Sequence, residues 1–190
     1  MEALNETANN ILDVAENYTQ TRGFNAFSYK DIQKVVGIKT SSIHYYFPTK
    51  QDLAISMAMR YVERFLAALE EIEQEHANSA QRLNALGGIY IRAAKEGKFC
   101  LCGMLASDIL ALPKEANAAL DQFFSLVEKW IEAVIDTGKA SQEFKNSVDS
   151  KRAAAHFLAT LEGGMLIDRT RKPSGYLKAV ISEALDQLTL

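Results

Sequence analysis

Only two of the 190 residues are cysteine, Cys100 and Cys102, and they stand one residue apart. That is too few for the disulfide framework of a small secreted domain. No basic segment leading into an apolar run opens the chain, so no secretory signal is expected. Every stretch of about 18 residues carries charge, so no membrane-spanning helix and no membrane partner are expected. A soluble cytoplasmic protein is the resulting expectation. An overall excess of positive charge is also missing: 21 Lys and Arg face 24 Asp and Glu, a net charge of −3, which excludes a histone-like polyanion binder and leaves local charge to decide. No Gly-rich phosphate loop or metal-spaced cluster is present. His44, His76 and His156 fall on different predicted helices, with no Ser- or Cys-based motif beside them. No catalytic residue, metal site or cofactor is therefore expected, and the chain reads as not an enzyme.

With three prolines, ten glycines and 48% apolar residues, the chain can bury a sizeable core and has few interruptions. Alternating β-branched runs are absent, whereas helical spacing fills most gaps between breakers. Leu4, Ala8, Ile11, Leu12 and Ala15 share one face of a first helix ending before Gly23. Ser28 and Asp31 make a capping box for a short second helix that Gly37 stops. A third fits Lys39 to Phe47, before Pro48. Thr49 and Asp52 start a fourth that reaches about Glu75. A fifth is expected over Ser79–Gly97, a sixth over Met104–Leu112 and a seventh over Lys114–Gly138, with Gly138 as its cap. An eighth runs from Asp149 to about Arg171 and a ninth over Gly175–Leu188. The fold class is all-α with about nine helices, divided into residues 1–48 and 49–190.

Residues 28–53 carry the most informative pattern. Two short helices flank a tight turn at Val36-Gly37-Ile38, after a longer helix that can brace them: the layout of a helix-turn-helix. Between Arg22 and Lys50 the cations are Arg22, Lys30, Lys34, Lys39 and Lys50, against the single acid Asp31. In the third helix Ile43 and Phe47 lie one turn apart and can plug the core, which turns Thr40, Ser41, His44 and Tyr45 outward. Short hydroxyls there can approach phosphates and base edges, and Lys50 can reach a phosphate. On these residues alone, an ordinary αα-hairpin with a solvated polar face is an equal alternative.

The run Gly37-Ile38-Lys39-Thr40-Ser41-Ser42-Ile43-His44-Tyr45-Tyr46-Phe47-Pro48-Thr49-Lys50-Gln51-Asp52-Leu53 resembles the signature of tetracycline-repressor-type (TetR family) transcriptional regulators. In that signature an aromatic triplet ends the recognition helix before a Lys-containing turn. The likeness extends back through Gly23-Phe24 and Ser28-Tyr29-Lys30-Asp31-Ile32, covering roughly the first 60 residues. It implies a sequence-specific DNA-binding regulator acting as a repressor, a homodimer on a double-stranded operator, released by a small-molecule effector. It further implies DNA-contacting positions at Ser28, Tyr29, Lys39, Thr40, Ser41, Ser42, His44, Tyr45 and Lys50, and packing positions at Ile32, Val36, Ile43 and Phe47. A helical adaptor or small-molecule-binding protein with a vestigial helix-turn-helix is the alternative.

For the remainder, the resemblance implies dimerisation through the last two helices. The small residues Ala153, Ala154, Ala155, Ala159, Gly163 and Gly164 allow close approach on the eighth. Leu177, Val180, Ile181, Leu185 and Leu188 form an apolar stripe on the ninth. The alternative is that both sets line their own subunit's core. Helices four to eight are expected to enclose an effector, with Tyr61, Phe65, Tyr90, Cys100, Met104, Phe123 and Trp130 as lining and Asp108 as a polar anchor. Each also reads as plain packing, and Asp108 as an exposed acid. Cys100 and Cys102 read either as buried small hydrophobes or as a thiol sensor at a helix start.

Overall fold

The computed structural model describes residues 5–171 and 175–190. Among them are nine α-helices: α1 (Glu6–Arg22), α2 (Tyr29–Val36), α3 (Thr40–Tyr46), α4 (Lys50–Glu75), α5 (Ser79–Lys95), α6 (Leu101–Ala106), α7 (Lys114–Ala140), α8 (Ser150–Asp168) and α9 (Tyr176–Asp186). Single 3-10 turns lie at Phe24–Ala26 and Ile109–Ala111. Extended backbone pairs only once among the described residues, in an isolated Phe144–Thr189 bridge. The fold is all-α.

Local chemistry explains most of the helix starts. The Asn5 side chain accepts from the Ala8 N–H at 2.9 Å, and Asp149 accepts from the Arg152 N–H at 3.1 Å. At α4 the capping box closes both ways. Asp52 accepts from the Thr49 N–H at 2.9 Å, while the Thr49 hydroxyl accepts from the Asp52 N–H at 3.1 Å. Each such cap satisfies a backbone donor that the first helical turn leaves unpaired.

Several expectations fail. The sixth helix starts at Leu101, not Met104, because Leu101, Cys102 and Leu105 supply its buried face. It stops at Ala106, and the residues a longer helix would bury, Ile109 and Leu110, are 41% and 100% exposed. Gly138 does not cap the seventh helix either; α7 continues through it to Ala140. The left-handed residue that ends the turn is Gln142, at φ 62°. Gly138 is needed for close approach: a Cβ there would lie 2.3 Å from Cδ2 of Phe144 and 2.9 Å from Cβ of Ser79. The fifth, eighth and ninth helices end short of Gly97, Arg171 and Leu188. Leu4, the first residue of the expected α1 stripe, lies outside the described residues.

The chain packs into two compact units, Met1–Glu63 with Cys100–Asp121, and Arg64–Phe99 with Gln122–Leu190. In the first, α1 packs against α2, α3 and α6. Ile11, Leu12, Ile32, Ile43, Leu53 and Met57 are fully buried there, each worth about 1.5–3 kcal/mol of transfer free energy. Arg60 ties α4 to α1, reaching Asp13 at 2.8 Å and the buried Glu16 at 3.2 Å. The residue 48 boundary is therefore not a packing boundary, since α6 and the first half of α4 join the same core as α1–α3. In the second unit α9 packs on both α5 and α8. Gly164 of α8 faces Leu177 and Val180 of α9, so it serves that internal contact.

Candidate nucleic-acid interface

Gly37 makes the turn between α2 and α3. It takes the left-handed conformation at φ 77°, and its N–H closes the end of α2 on the Gln33 carbonyl, a geometry that costs glycine little. Ile43 and Phe47 then bury one face of α3, at 0% and 2% exposure. The opposite face carries Ser41, His44 and Tyr45, all exposed, with Tyr45 at 81%. Lys39 is exposed before the helix, and Thr40 and Ser42 are half-buried at its flanks. The Tyr45 ring touches the Tyr46 ring edge-on, with centroids 5.1 Å apart, and otherwise stands in solvent.

Several side chains of this region are already committed. His44 Nδ1 lies 3.0 Å from the Pro48 carbonyl, and the ring packs on Tyr29 with centroids 4.7 Å apart. Neutral His44 thus donates through Nδ1–H and keeps Nε2 as an acceptor. Asp31 accepts from the Ser28 N–H at 3.0 Å and from the Ser28 hydroxyl at 2.8 Å. Those bonds, above all, hold the Asp31 carboxyl below its ordinary range.

Two positions assigned by resemblance have partners inside the protein. The Tyr29 ring is buried, and its hydroxyl sits 2.8 Å from the Phe47 carbonyl and 2.6 Å from that of Thr49. Burial first, and the charge of Asp52 second, push its phenol upward. Tyr29 clamps the end of α3 from inside and does not present itself outward. Lys50 is half-buried, with Nζ donating to the Phe24 and Phe27 carbonyls and lying 4.6 and 4.3 Å from the two ring centroids. Burial lowers its pKa, opposed by the charge of Asp108. Lys50 therefore anchors the α1–α2 corner; sequence spacing gave no sign of that, because both partners are backbone carbonyls. Arg22 lies over the Tyr18 ring at 4.3 Å. Lys30 and Lys39 remain as exposed cations, along with Lys34, which pairs loosely with Asp31 at 3.4 Å.

A glycine-turned pair of short helices, braced by a longer one and showing hydroxyls, imidazole and cations on one face, defines a helix-turn-helix DNA-binding protein. Comparison with known proteins agrees. The sequence model described as "Bacterial regulatory proteins, tetR family" matches residues 11–57, and "Tetracyclin repressor-like, C-terminal domain" matches residues 79–183. The chain belongs to the TetR family and is a DNA-binding transcriptional regulator. A solved TetR-family regulator from Agrobacterium tumefaciens is 30% identical, with 97% of this chain and 98% of that one covered and a TM-score of 0.91. Another, from Legionella pneumophila, is 31% identical over 100% of both chains, with a TM-score of 0.86. The fatty acid metabolism regulator protein of Bacillus subtilis is 21% identical over 155 residues, 80% of this chain and 78% of that protein.

The eight expected effector-lining residues divide between the two units. Tyr61, Cys100, Met104 and Asp108 belong to the first, and Phe65, Tyr90, Phe123 and Trp130 to the second. In the first, the Tyr61 hydroxyl lies 3.9 Å from Cys100 Sγ, and both cysteines are buried. Met104 instead packs at the α1–α2 corner, its Cε 3.6 Å from a Cβ built on Gly23. In the second, Phe65 stacks edge-on against Phe123 at 5.0 Å and Tyr90 at 6.3 Å. The Trp130 indole N–H is buried and meets no acceptor.

Of the dimer positions, Ala155 and Ala159 are exposed, and Gly163, Val180 and Leu185 half-buried. Leu177, Ile181 and Leu188 of the expected α9 stripe are buried in their own unit. Sequence reading missed Leu166 and Ile167, which are 63% and 38% exposed on α8. Leu166 continues the stripe from Ala155 through Ala159 and Gly163 at helical spacing, which was the available signal. No helix among the described residues is long and apolar enough to cross a membrane.

Proposed function

We propose that the protein is a homodimeric repressor that reads an operator with the outer face of α3 and leaves it on binding a small-molecule effector. The observation that carries the reading is the outward set Lys39, Ser41, His44 and Tyr45 on a short helix whose inner face is locked by Ile43, Phe47 and Tyr29. Thr40 and Ser42 flank it, and Ser28 lies at the start of α2. Lys39 acts through phosphate charge. Ser41 and the Nε2 acceptor of His44 read base edges, for which adenine N6 and cytosine N4 offer donors in the major groove. Residues 1–48 supply the DNA contacts and residues 49–190 the rest.

The dimer forms through the face of Ala155, Ala159, Gly163, Val180 and Leu185, supported by the exposed Leu166 and Ile167 beside it. Effector binding is supported by the unpartnered Trp130 N–H. A buried donor left unmade costs about 1–3 kcal/mol, and a ligand acceptor removes that cost. A coupling of about 1–3 kcal/mol between effector and operator weakens DNA binding ~5–150-fold.

The direct experiment titrates wild type and Lys39→Ala against a selected duplex and a scrambled one at two salt concentrations. Loss of one phosphate contact weakens both duplexes alike and flattens the salt dependence by about one unit of slope. A Lys39→Ala variant with wild-type affinity and slope removes this residue from the interface.

A further inference from the structure

The second unit holds a cavity of about 440 Å³ between the end of α5, the end of α8 and the start of α9. That volume lies in the usual range for small-ligand sites. None of the eight effector positions proposed above lines it. Its walls are apolar where they are deepest: Phe99, Met165 and Leu177 are 8%, 2% and 2% exposed. Around them stand five cations, Lys95, Lys98, Arg169, Arg171 and Lys178, against one carboxylate, Asp168. In a chain of net charge −3 this is a concentrated reversal of sign.

Neighbouring interactions offset part of that charge. Lys98 pairs with Glu96 at 2.7 Å, and Asp168 accepts from the Leu177 N–H at 3.0 Å, capping α9. Arg169 lies 4.7 Å over the Phe99 ring, which places a guanidinium at the edge of the apolar wall. Lys95, Arg171 and Lys178 are exposed beside it. Crowded like charges repel, and a ligand that brings an anion relieves them. Guanidinium groups match carboxylate and phosphate oxygens in particular.

We infer that this cavity is a binding site for an amphipathic organic anion, a small apolar body carrying a carboxylate or phosphate head. The apolar wall takes the body, and the cationic edge takes the head. A DNA backbone would use the cations and leave the apolar recess empty, which is why a small anion fits better.

The test uses the full-length protein, calorimetric titration and three probes of one chain length: octanoate, octyl phosphate and octanol. Both anions are expected to bind saturably at one per chain, with octanol at least tenfold weaker; the tighter anion identifies the head group. Arg169→Gln/Lys178→Gln should lower octanoate affinity at least tenfold, with an unchanged thermal midpoint reporting an intact fold. Ala94→Phe keeps every charge and narrows the cavity, and it should lower affinity for both anions. Octanol binding as tightly as octanoate, or no anion binding at millimolar concentration, overturns the inference. So does a double variant that keeps octanoate but loses affinity for duplex DNA, because the cations then serve phosphates of the backbone. Wild-type duplex binding without any probe is measured alongside, so failure of the regulator reading shows separately.

Discussion

Asp31 shows how a single side chain holds the start of α2. Its carboxylate takes both the N–H and the hydroxyl of Ser28, and those bonds depress its pKa below the ordinary 3.8. A carboxyl depressed in the folded state adds stability that is complete above its unfolded value and is lost as pH falls through the folded one. Asp31→Ala should therefore lower the urea midpoint at neutral pH, with the gap to wild type closing in acid. A gap that stays constant down the acid limb would show that the carboxylate charge is not what holds the cap. The cysteines lead to a different expectation. Both are buried, so Cys100→Ala/Cys102→Ala should cost about 1–2 kcal/mol of stability through lost packing. Duplex affinity should remain indifferent to peroxide or quinone in both proteins. An oxidant response present in wild type and absent from the variant would assign the thiols a sensing role.

At the scale of elements, the helices follow from caps and apolar spacing, and that much was legible in the sequence. Ser28 with Asp31, Thr49 with Asp52, and Asp149 each announce a start by chemistry confined to one turn. The outward set on α3 was legible for the same reason, because Ile43 and Phe47 fix which face is buried. What escaped depends on partners distant in the chain. Nothing near Gly138 reveals that the Phe144 ring lies across it, and nothing near Lys50 reveals the Phe24 and Phe27 carbonyls. Tyr29 looks like a surface residue until the Phe47 and Thr49 carbonyls arrive beside its hydroxyl. Gly138→Ala tests the first of these: the Cβ would meet Phe144 at 2.3 Å, and forced repacking should cost about 1–3 kcal/mol. A neutral Gly138→Ala, read by chemical denaturation, would mean that α7 and the Phe144 segment are not held at that spacing. On α3, replacing Ser41 or His44 should change which sequence is preferred, at about 1–3 kcal/mol per lost base contact. Competition between duplexes reads that change, and uniform weakening would place these residues on phosphates.

For the whole molecule, one short recognition helix makes too few contacts for tight specific binding, and two-fold symmetry is the usual remedy. The α8 stripe of Ala155, Ala159 and Gly163 continues into exposed Leu166, a surface suited to a second copy. Ala159→Trp should give a monomer in sedimentation at micromolar concentration and weaken duplex binding with it. Unchanged dimerisation in that variant would move the interface elsewhere. The most direct measurement is selection of bound duplexes from a randomised pool, followed by sequencing. The expected result is an inverted repeat with half-site centres about one helical turn apart or modestly more, roughly 34–36 Å, and loss of that motif when Ser41 and His44 are both replaced. A motif without two-fold symmetry, or the same motif returned by the double variant, would contradict a dimer reading DNA through α3.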